Sequence, residues 1–198
     1  IGGMEFGYDH QFFVHGGRAY VGAMAGHQWF GNVKMEQAYS KNGEGHGKSP
    51  SIGLYGSWIA DNGWFADATL RHFWLDSSMT SYQYNGTPVH YSPKTKATAI
   101  SLEAGKRISF GAEEKWMIEP RAEFVFSHIG SDDLTTSNGV SIQYDSVNSV
   151  QGVAGVNFGY KDKNNLYYLK AAVVHEFDGK GDTTYAGTKI TSDPSGTR

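Results

Sequence analysis

The stretch Trp116-Met-Ile-Glu-Pro-Arg-Ala-Glu-Phe-Val-Phe-Ser-His128 decides the fold of this chain. Its charged side chains, Glu119, Arg121 and Glu123, all fall on odd positions, whereas most of its apolar side chains fall on even positions. Successive side chains of a β-strand point to opposite faces, so this segment predicts a strand with one apolar face and one charged face.

The same alternation recurs in seven other segments along the chain. It is weaker in 19–33 and 50–60, although the latter still places Ile52, Leu54 and Trp58 on one side. The eight predicted strands cover residues 4–12, 19–33, 50–60, 64–75, 97–107, 116–128, 149–160 and 166–177.

The connections between these strands alternate between short and long. The short connections lie near 14–18, 60–63, 110–115 and 161–165, and the long ones near 35–49, 76–95, 129–148 and from 178 onward. Short turns at one end of a sheet and long polar loops at the other are typical of a transmembrane β-barrel of the outer-membrane type. We therefore predict an all-β, antiparallel fold of this type.

The composition agrees with this prediction and excludes several classes of function. The 17 Lys and Arg against 20 Asp and Glu leave no excess of positive charge for binding nucleic acid. Because the chain has no Cys, disulfide scaffolds, Cys-based zinc sites and thiol chemistry are excluded. The 26 Gly are too many for a helical protein, and the 11 Phe, 5 Trp and 12 Tyr are too many for a disordered one.

A soluble antiparallel barrel or sandwich is the competing interpretation, in which the apolar faces would form the core. The confinement of charge to one face favours the membrane barrel, because a water-filled lumen accepts charged side chains. Aromatic side chains also follow the short turns, where a barrel meets one membrane interface. These predicted interface residues are Trp64, Phe65, Trp116, Tyr167 and Tyr168.

The polar positions of the strands are predicted to line the pore. Because they carry charges of both signs, the simplest interpretation is a polar network in which most charges are paired. The predicted pore-lining residues are Glu5, Asp9, Asp67, Arg71, Glu103, Arg107, Glu119, Arg121, Glu123 and Lys170.

Two further motifs resemble binding sites but do not have the spacing that such sites require. Gly43–Ser49 imitates a phosphate-binding loop, but the first Gly of that motif falls on Asn42, and a strand follows in place of a helix. His72, His128 and His175 are far apart along the chain and form no local metal-ligand motif. We therefore predict neither a metal site nor a cofactor.

Five segments resemble the translocator (β-barrel) domain of classical autotransporters, the pertactin-like family of type V secretion. They occur in the family's order and spacing, and the similarity runs over most of the chain. The segments are Gly53–Ala68 (GLYGSWIADNGWFADA), Ser101–Arg107 (SLEAGKR), Trp116–Phe124 (WMIEPRAEF), Val153–Tyr160 (VAGVNFGY) and Val173–Gly179 (VVHEFDG).

The resemblance implies a twelve-stranded barrel in the outer membrane of a Gram-negative bacterium, which secretes its own N-terminal passenger to the cell surface. The implied partners are outer-membrane lipid, the passenger and a linker helix in the lumen, the barrel-assembly machinery and periplasmic chaperones. Against the family pattern, the sequence begins in the second strand and stops at Pro194–Arg198, in a loop. Residues 1–198 are therefore predicted to be one partial β-barrel domain with about eight of the twelve strands, without passenger, linker helix or C-terminal strands.

The resemblance also implies one enzymatic role, because a subgroup of the family cleaves its own passenger at an Asn inside the barrel. By motif position, the assisting acidic residues would be Asp67, Glu103 and Glu123. A crowded carboxyl group that keeps its proton could protonate the leaving group. The Asn that would be cleaved does not occur in this sequence, so the main prediction is a pore without bond chemistry.

A small eight-stranded surface barrel is the alternative function from a different class. It would act as an adhesin or receptor through the loops 76–95 and 129–148, which are polar and long enough to bind a partner. Such a barrel would pair its first strand with its last, whereas the secretion pore would take further strands from outside this sequence.

Overall fold

The computed structural model describes residues 2–37, 40–82 and 87–197, which are mostly β-strand. A 3-10 helical turn covers Ala112–Glu114. Among the described residues, no helix has the length and apolar character needed to cross a membrane. The strands are β1 (Gly2–Val14), β2 (Gly17–Gln37), β3 (Ser40–Ala60), β4 (Trp64–Tyr82), β5 (Pro88–Tyr91), β6 (Lys94–Lys106), β7 (Ile108–Phe110), β8 (Trp116–Ile129), β9 (Asp132–Thr135), β10 (Ser141–Tyr144), β11 (Val147–Lys161), β12 (Leu166–Asp178), β13 (Gly181–Tyr185), β14 (Thr188–Ser192) and β15 (Gly196–Thr197).

The long strands form one antiparallel sheet in chain order, β1-β2-β3-β4-β6-β8-β11-β12. Each predicted strand lies within one of these long strands, except that Arg107 falls just past the end of β6. β5 and β7 pair with β4 and β8, and the two-residue β15 pairs with β12. Within the described part of the chain, no pairing joins β1 to β12. The all-β antiparallel class is confirmed.

Side chains alternate between two faces of this sheet, which we call the apolar face and the polar face. The apolar face carries Leu54, Leu70 and Ile100, which are register partners on β3, β4 and β6. The polar face carries Asp67 and Glu103, which are register partners on β4 and β6. The apolar face is the more exposed one: on β8, the even positions 122–128 are exposed, whereas the odd positions 121–127 are half-buried.

Large side chains on the polar face cover glycines of the neighbouring strand. The ring of Tyr55 lies over Gly22, that of Phe65 over Gly105, and the side chain of Met117 over Gly159. In each pair the two residues are register partners. The missing Cβ lets a long side chain lie flat across the strand, which holds strands in register at positions where glycine itself contributes no packing.

The turn end of the sheet carries the short connections, as predicted. Gly16 and Gly63 adopt φ angles of 72° and 89°, which only glycine reaches without strain. Neighbouring turns are also tied together, because the Asp61 N–H donates to the Gly16 carbonyl at 2.9 Å and the Arg107 N–H donates to the Gly63 carbonyl at 2.8 Å.

The loop end of the sheet differs from the prediction. The long loop predicted at 35–49 consists of the ends of β2 and β3, apart from positions 38 and 39, which lie outside the described residues. Likewise, 76–82 of the predicted loop 76–95 belong to β4, and 83–86 lie outside the described residues. The sequences of these extensions are mostly polar, so they lack the apolar alternation from which strands are predicted.

Two predicted loops form a second sheet at the loop end, with strand order β14-β13-β10-β9. It joins the 129–148 connection to the segment that follows β12, and Ile142 is buried within it. On the β13-β14 hairpin, the Lys189 ammonium donates to the Asp182 carboxylate at 2.7 Å, which lowers the pKa of Asp182 below its usual value. The predicted loops 129–148 and 178 onward therefore contain β-strands.

The covered glycines lead to a test of strand packing. A Gly105→Val substitution places a Cβ into the Phe65 ring and 2.7 Å from the Pro120 carbonyl oxygen. Overpacking of this kind should lower the free energy of unfolding by about 1–3 kcal/mol. Gly56→Val is the matched control, because its nearest neighbour, the Tyr20 carbonyl oxygen, would lie 3.8 Å from the new Cβ.

The measurement is the urea midpoint of the refolded complete polypeptide. Equal midpoints for the two valine variants would show that the Phe65 ring does not occupy the space above Gly105.

Candidate functional site

The polar face holds a network of paired charges across β6, β8 and β11. Arg121 Nη1 donates to both carboxylate oxygens of Glu103, at 3.0 and 3.1 Å. Arg107 binds Glu119 through Nε and Nη2, each 2.8 Å from Oε2. The Asn157 side-chain amide donates to the other oxygen of Glu119 at 2.8 Å. Glu119 is only 7% exposed, so these bonds offset the cost of burying its charge.

A second group of polar contacts links β1 to β3 and β4. Arg71 on β4 forms an ion pair with Glu5 on β1, with 2.7 Å between Nη2 and Oε2. The Tyr55 hydroxyl on β3 donates to Asp9 on β1 at 2.5 Å, across Gly22. The Arg71–Glu5 pair spans three strand spacings of about 4.8 Å each, which fits a sheet that is concave on its polar face.

Three carboxylates stand side by side in one register row of the polar face. Asp67 on β4 is the partner of Glu103 on β6, which is the partner of Glu123 on β8. Glu103 is neutralised by Arg121. Neither Asp67 nor Glu123 forms an ion pair or side-chain hydrogen bond with another described residue. Like charges directly opposite each other on neighbouring strands are destabilising. A contribution to the stability of the fold therefore does not explain why three carboxylates occupy this row.

The other predicted pore-lining residue is Lys170 on β12. It is the register partner of Asn157 and therefore shares a face with the Glu119 cluster. Its ammonium lies 5.3 Å from the centre of the Tyr168 ring. Nine of the ten predicted residues thus lie on the polar face, and Arg107, just past the end of β6, binds to that face. Seven of the ten are ion-paired or hydrogen-bonded there: Glu5, Asp9, Arg71, Glu103, Arg107, Glu119 and Arg121.

The five predicted interface aromatics divide between the two faces. Trp64, Trp116 and Tyr167 lie on the apolar face at the turn end, where Lys106 lies 5.2 Å from the centre of the Trp64 ring. Trp116 also contacts Tyr160, with 4.6 Å between ring centres.

The placement of Phe65 and Tyr168 corrects the expectation for those two residues. Both lie on the polar face, because each directly follows a residue of the apolar face, Trp64 or Tyr167. In agreement with this, Phe65 covers Gly105, and Tyr168 is the register partner of Gly159. Adjacent aromatics in one strand cannot both face lipid.

Sequence reasoning missed two uncharged members of the network. Tyr55 binds Asp9, and Asn157, 9% exposed, binds Glu119. Both fall on the polar positions of their strands, so the alternation alone could have identified them. They are uncharged, so a prediction of pore-lining residues from charge alone does not include them.

The polar face also forms an open recess of about 630 Å³ at the turn end. Asp67, Arg107 and Glu119 line it together with the turn 61–63. Because its lining carries both positive and negative side chains, the recess suits a polar polypeptide segment better than a single small ion.

An antiparallel sheet with an exposed apolar face and a charged, internally paired face is typical of outer-membrane β-proteins. The chain belongs to the Autotransporter beta-domain family, which matches residues 1–198. It is 31% identical over 203 residues to the pertactin autotransporter of Bordetella parapertussis, covering 100% of this chain and 21% of that protein. It is 27% identical to the BrkA autotransporter of Bordetella pertussis, covering 94% of this chain and 18% of that protein.

A solved structure supports the fold. The chain superposes on the crystal structure of the beta domain of the Bordetella autotransporter BrkA with a TM-score of 0.73 and 24% identity, covering 92% of this chain and 74% of the other. The chain spans about a fifth of the length of the curated relatives that it matches. Autotransporter β-domains reside in the Gram-negative outer membrane and act in type V secretion, so the predicted family and localisation are confirmed.

The difference between paired and unpaired carboxylates is testable. Glu119→Gln leaves the Arg107 guanidinium without its carboxylate and should lower the free energy of unfolding by about 2 kcal/mol. Asp67→Asn is the matched control: it should be neutral or stabilise by a few tenths of a kcal/mol, because it removes a charge opposite Glu103.

Urea unfolding of the refolded complete polypeptide measures both effects. A greater loss of stability for Asp67→Asn than for Glu119→Gln would contradict the assigned pairing.

Proposed function

We propose that this chain forms most of a transmembrane β-barrel that secretes the N-terminal passenger of a longer polypeptide. In this proposal the apolar face contacts lipid, the polar face lines a water-filled lumen, and strands from outside the sequence complete a twelve-stranded barrel. The observation that carries the proposal is that apolar and polar side chains lie on opposite faces in the alternating segments of the long strands.

The apolar face is too exposed to belong to a soluble protein. Leu54, Leu102 and Val21 are 60%, 53% and 58% exposed, although they lie in mid-strand. Contiguous apolar surface of this extent marks a contact with lipid or with another protein. A lipid contact fits best, because the exposed face continues over neighbouring strands and is bordered at the turn end by Trp64 and Trp116.

The polar face supports a passage for polypeptide. Its charges are held in place by the Arg107–Glu119 and Arg121–Glu103 pairs, while Asp67 and Glu123 keep free carboxylates for a segment in the lumen. A linker helix with complementary charge would be bound there, with the passenger beyond it. The barrel-assembly machinery and periplasmic chaperones complete the set of proposed partners.

The unpaired sheet edges support closure by additional strands. An edge strand in lipid leaves backbone N–H and C=O groups unbonded, at several kcal/mol each. The alternative function, a small surface barrel, would require β1 to pair with β12, and the described residues make no such pairing.

Cysteine accessibility tests the proposed lumen. Ser101 and Leu102 are consecutive residues of β6 on the polar and the apolar face, and the chain has no Cys. In the complete polypeptide, inserted in its outer membrane, Ser101→Cys should react with a membrane-impermeant maleimide. Leu102→Cys should not, because a thiol in hydrocarbon neither ionises nor meets the reagent.

The matched pair differs by one position, so depth in the membrane is held constant. Equal labelling of both cysteines, or labelling of Leu102→Cys alone, would contradict the assignment of the faces.

Cleavage of the passenger linker inside the lumen is a second candidate function. It is favoured by one observation, the Asp67–Glu103–Glu123 row, in which three acidic residues are consecutive register partners on neighbouring strands. In this role a carboxyl group of the row would serve as the general acid for the leaving group.

The double variant Asp67→Asn/Glu123→Gln tests this role without breaking the Glu103–Arg121 pair. If the row cleaves the linker, processing of the complete polypeptide should slow by about 100-fold or more, and the uncleaved form should accumulate in the outer-membrane fraction. Glu114→Gln at the turn end is the control. Unchanged processing in the double variant would remove this second function and leave the pore intact.

A further inference from the structure

The apolar face ends at the loop end in a row of polar side chains. Leu70, Ile100 and Phe126 are consecutive register partners on β4, β6 and β8. Two residues closer to the loop end, the same strands carry His72, Thr98 and His128. The face therefore changes from apolar to polar within one side-chain step on three neighbouring strands, as expected where hydrocarbon gives way to headgroups.

The polar row is fixed by hydrogen bonds between strands. His72 Nδ1 lies 2.9 Å from Thr98 Oγ1, and His128 Nδ1 lies 2.7 Å from Asn148 Oδ1. The Trp74 ring packs edge-on against His72, with 4.8 Å between ring centres. Each imidazole is therefore held at Nδ1, and Nε2 takes no part in these two bonds.

Two lysines lie just beyond this row on β6. Lys96 is the register partner of Trp74, and Lys94 is the register partner of Asp76; both lysines are exposed. Asp76 lies 3.8 Å from a third lysine, Lys48, on its other side. Among the residues that the structure describes, no carboxylate pairs with the Nζ of Lys94 or Lys96. Asp132 accepts a hydrogen bond from the backbone N–H of Lys94, and not from its ammonium group.

We infer that His72, His128, Lys94 and Lys96 form a binding site for the phosphate group of a lipid headgroup in the leaflet at the loop end. We call these four residues the cationic band. The inference rests on the proposed function, because the apolar face must contact lipid. Lysine stems lie along apolar surface and carry the ammonium to headgroup depth, where an anionic phosphate would compensate the two unpaired charges.

Among the described residues, the turn end of the same face has no such arrangement. There, the outward lysine Lys106 lies against the Trp64 ring, and its charge already has a cation–π partner. The two ends of the apolar face are therefore chemically different, and the unpaired positive charge is at the loop end of β6.

Native mass spectrometry of the complete polypeptide in detergent tests the inference. The probes are phosphatidic acid, diacylglycerol with the same acyl chains, and inorganic phosphate alone. We expect phosphatidic acid to bind more tightly than diacylglycerol. Lys94→Gln/Lys96→Gln should weaken phosphatidic acid binding by about fivefold per lysine, or about 25-fold in total. The control Lys161→Gln/Lys163→Gln, in the short turn at the opposite end, should leave it unchanged.

Three outcomes would overturn the inference: equal binding of the two lipids, unchanged binding to the Lys94/Lys96 variant, or equally tight binding of inorganic phosphate alone, which would indicate a site for free phosphate. Failure of the proposed function would look different. If the protein inserts into vesicles and Ser101→Cys is labelled selectively, but phosphatidic acid shows no preference, only the cationic band is wrong.

Discussion

The whole structure depends on the backbone hydrogen-bond ladder of one antiparallel sheet and on the two-residue period that it imposes. In lipid, each backbone N–H and C=O must find its partner inside the sheet, because no water is available to replace it. Once the ladder is formed, the face of every side chain is determined. A slip of one residue between β6 and β8 would bring Glu123 to the lipid side and Phe124 into the lumen, so the pattern of charge enforces the register.

The polar network follows from this constraint. The alternation brings Glu119 and Asn157 together on neighbouring strands, and the chain leaving β6 delivers Arg107 to the same carboxylate. Glycines opposite long side chains allow Tyr55 to cross a strand and reach Asp9. The same sheet therefore pairs Glu119 and Glu103 with arginines, whereas Asp67 and Glu123 form no ion pair with another described residue.

The sequence predicts the long strands and the polar face well, because both depend on local alternation. The stretch 116–128 is an example: each of its charges lies where the period of two places it. Two aspects could not be predicted in this way. The sequence of the strand extensions beyond 33 and before 50 has no apolar alternation. The pairing of β10 with β13 joins segments about 40 residues apart, which no local pattern encodes. Phe65 and Tyr168 follow the alternation of side chains between the two faces. The clustering of aromatic residues after the short turns therefore predicts the wrong face for them.

The completion of the sheet by strands outside this sequence is tested most directly by gel mobility with and without heating. The complete polypeptide, refolded in detergent, should migrate faster unheated than heated, because a closed barrel resists SDS until it is boiled. Residues 1–198 alone should migrate at one position under both conditions, because the edges of β1 and β12 remain open. A heat-dependent shift of residues 1–198 alone would contradict this, since it would mean that these strands close on themselves.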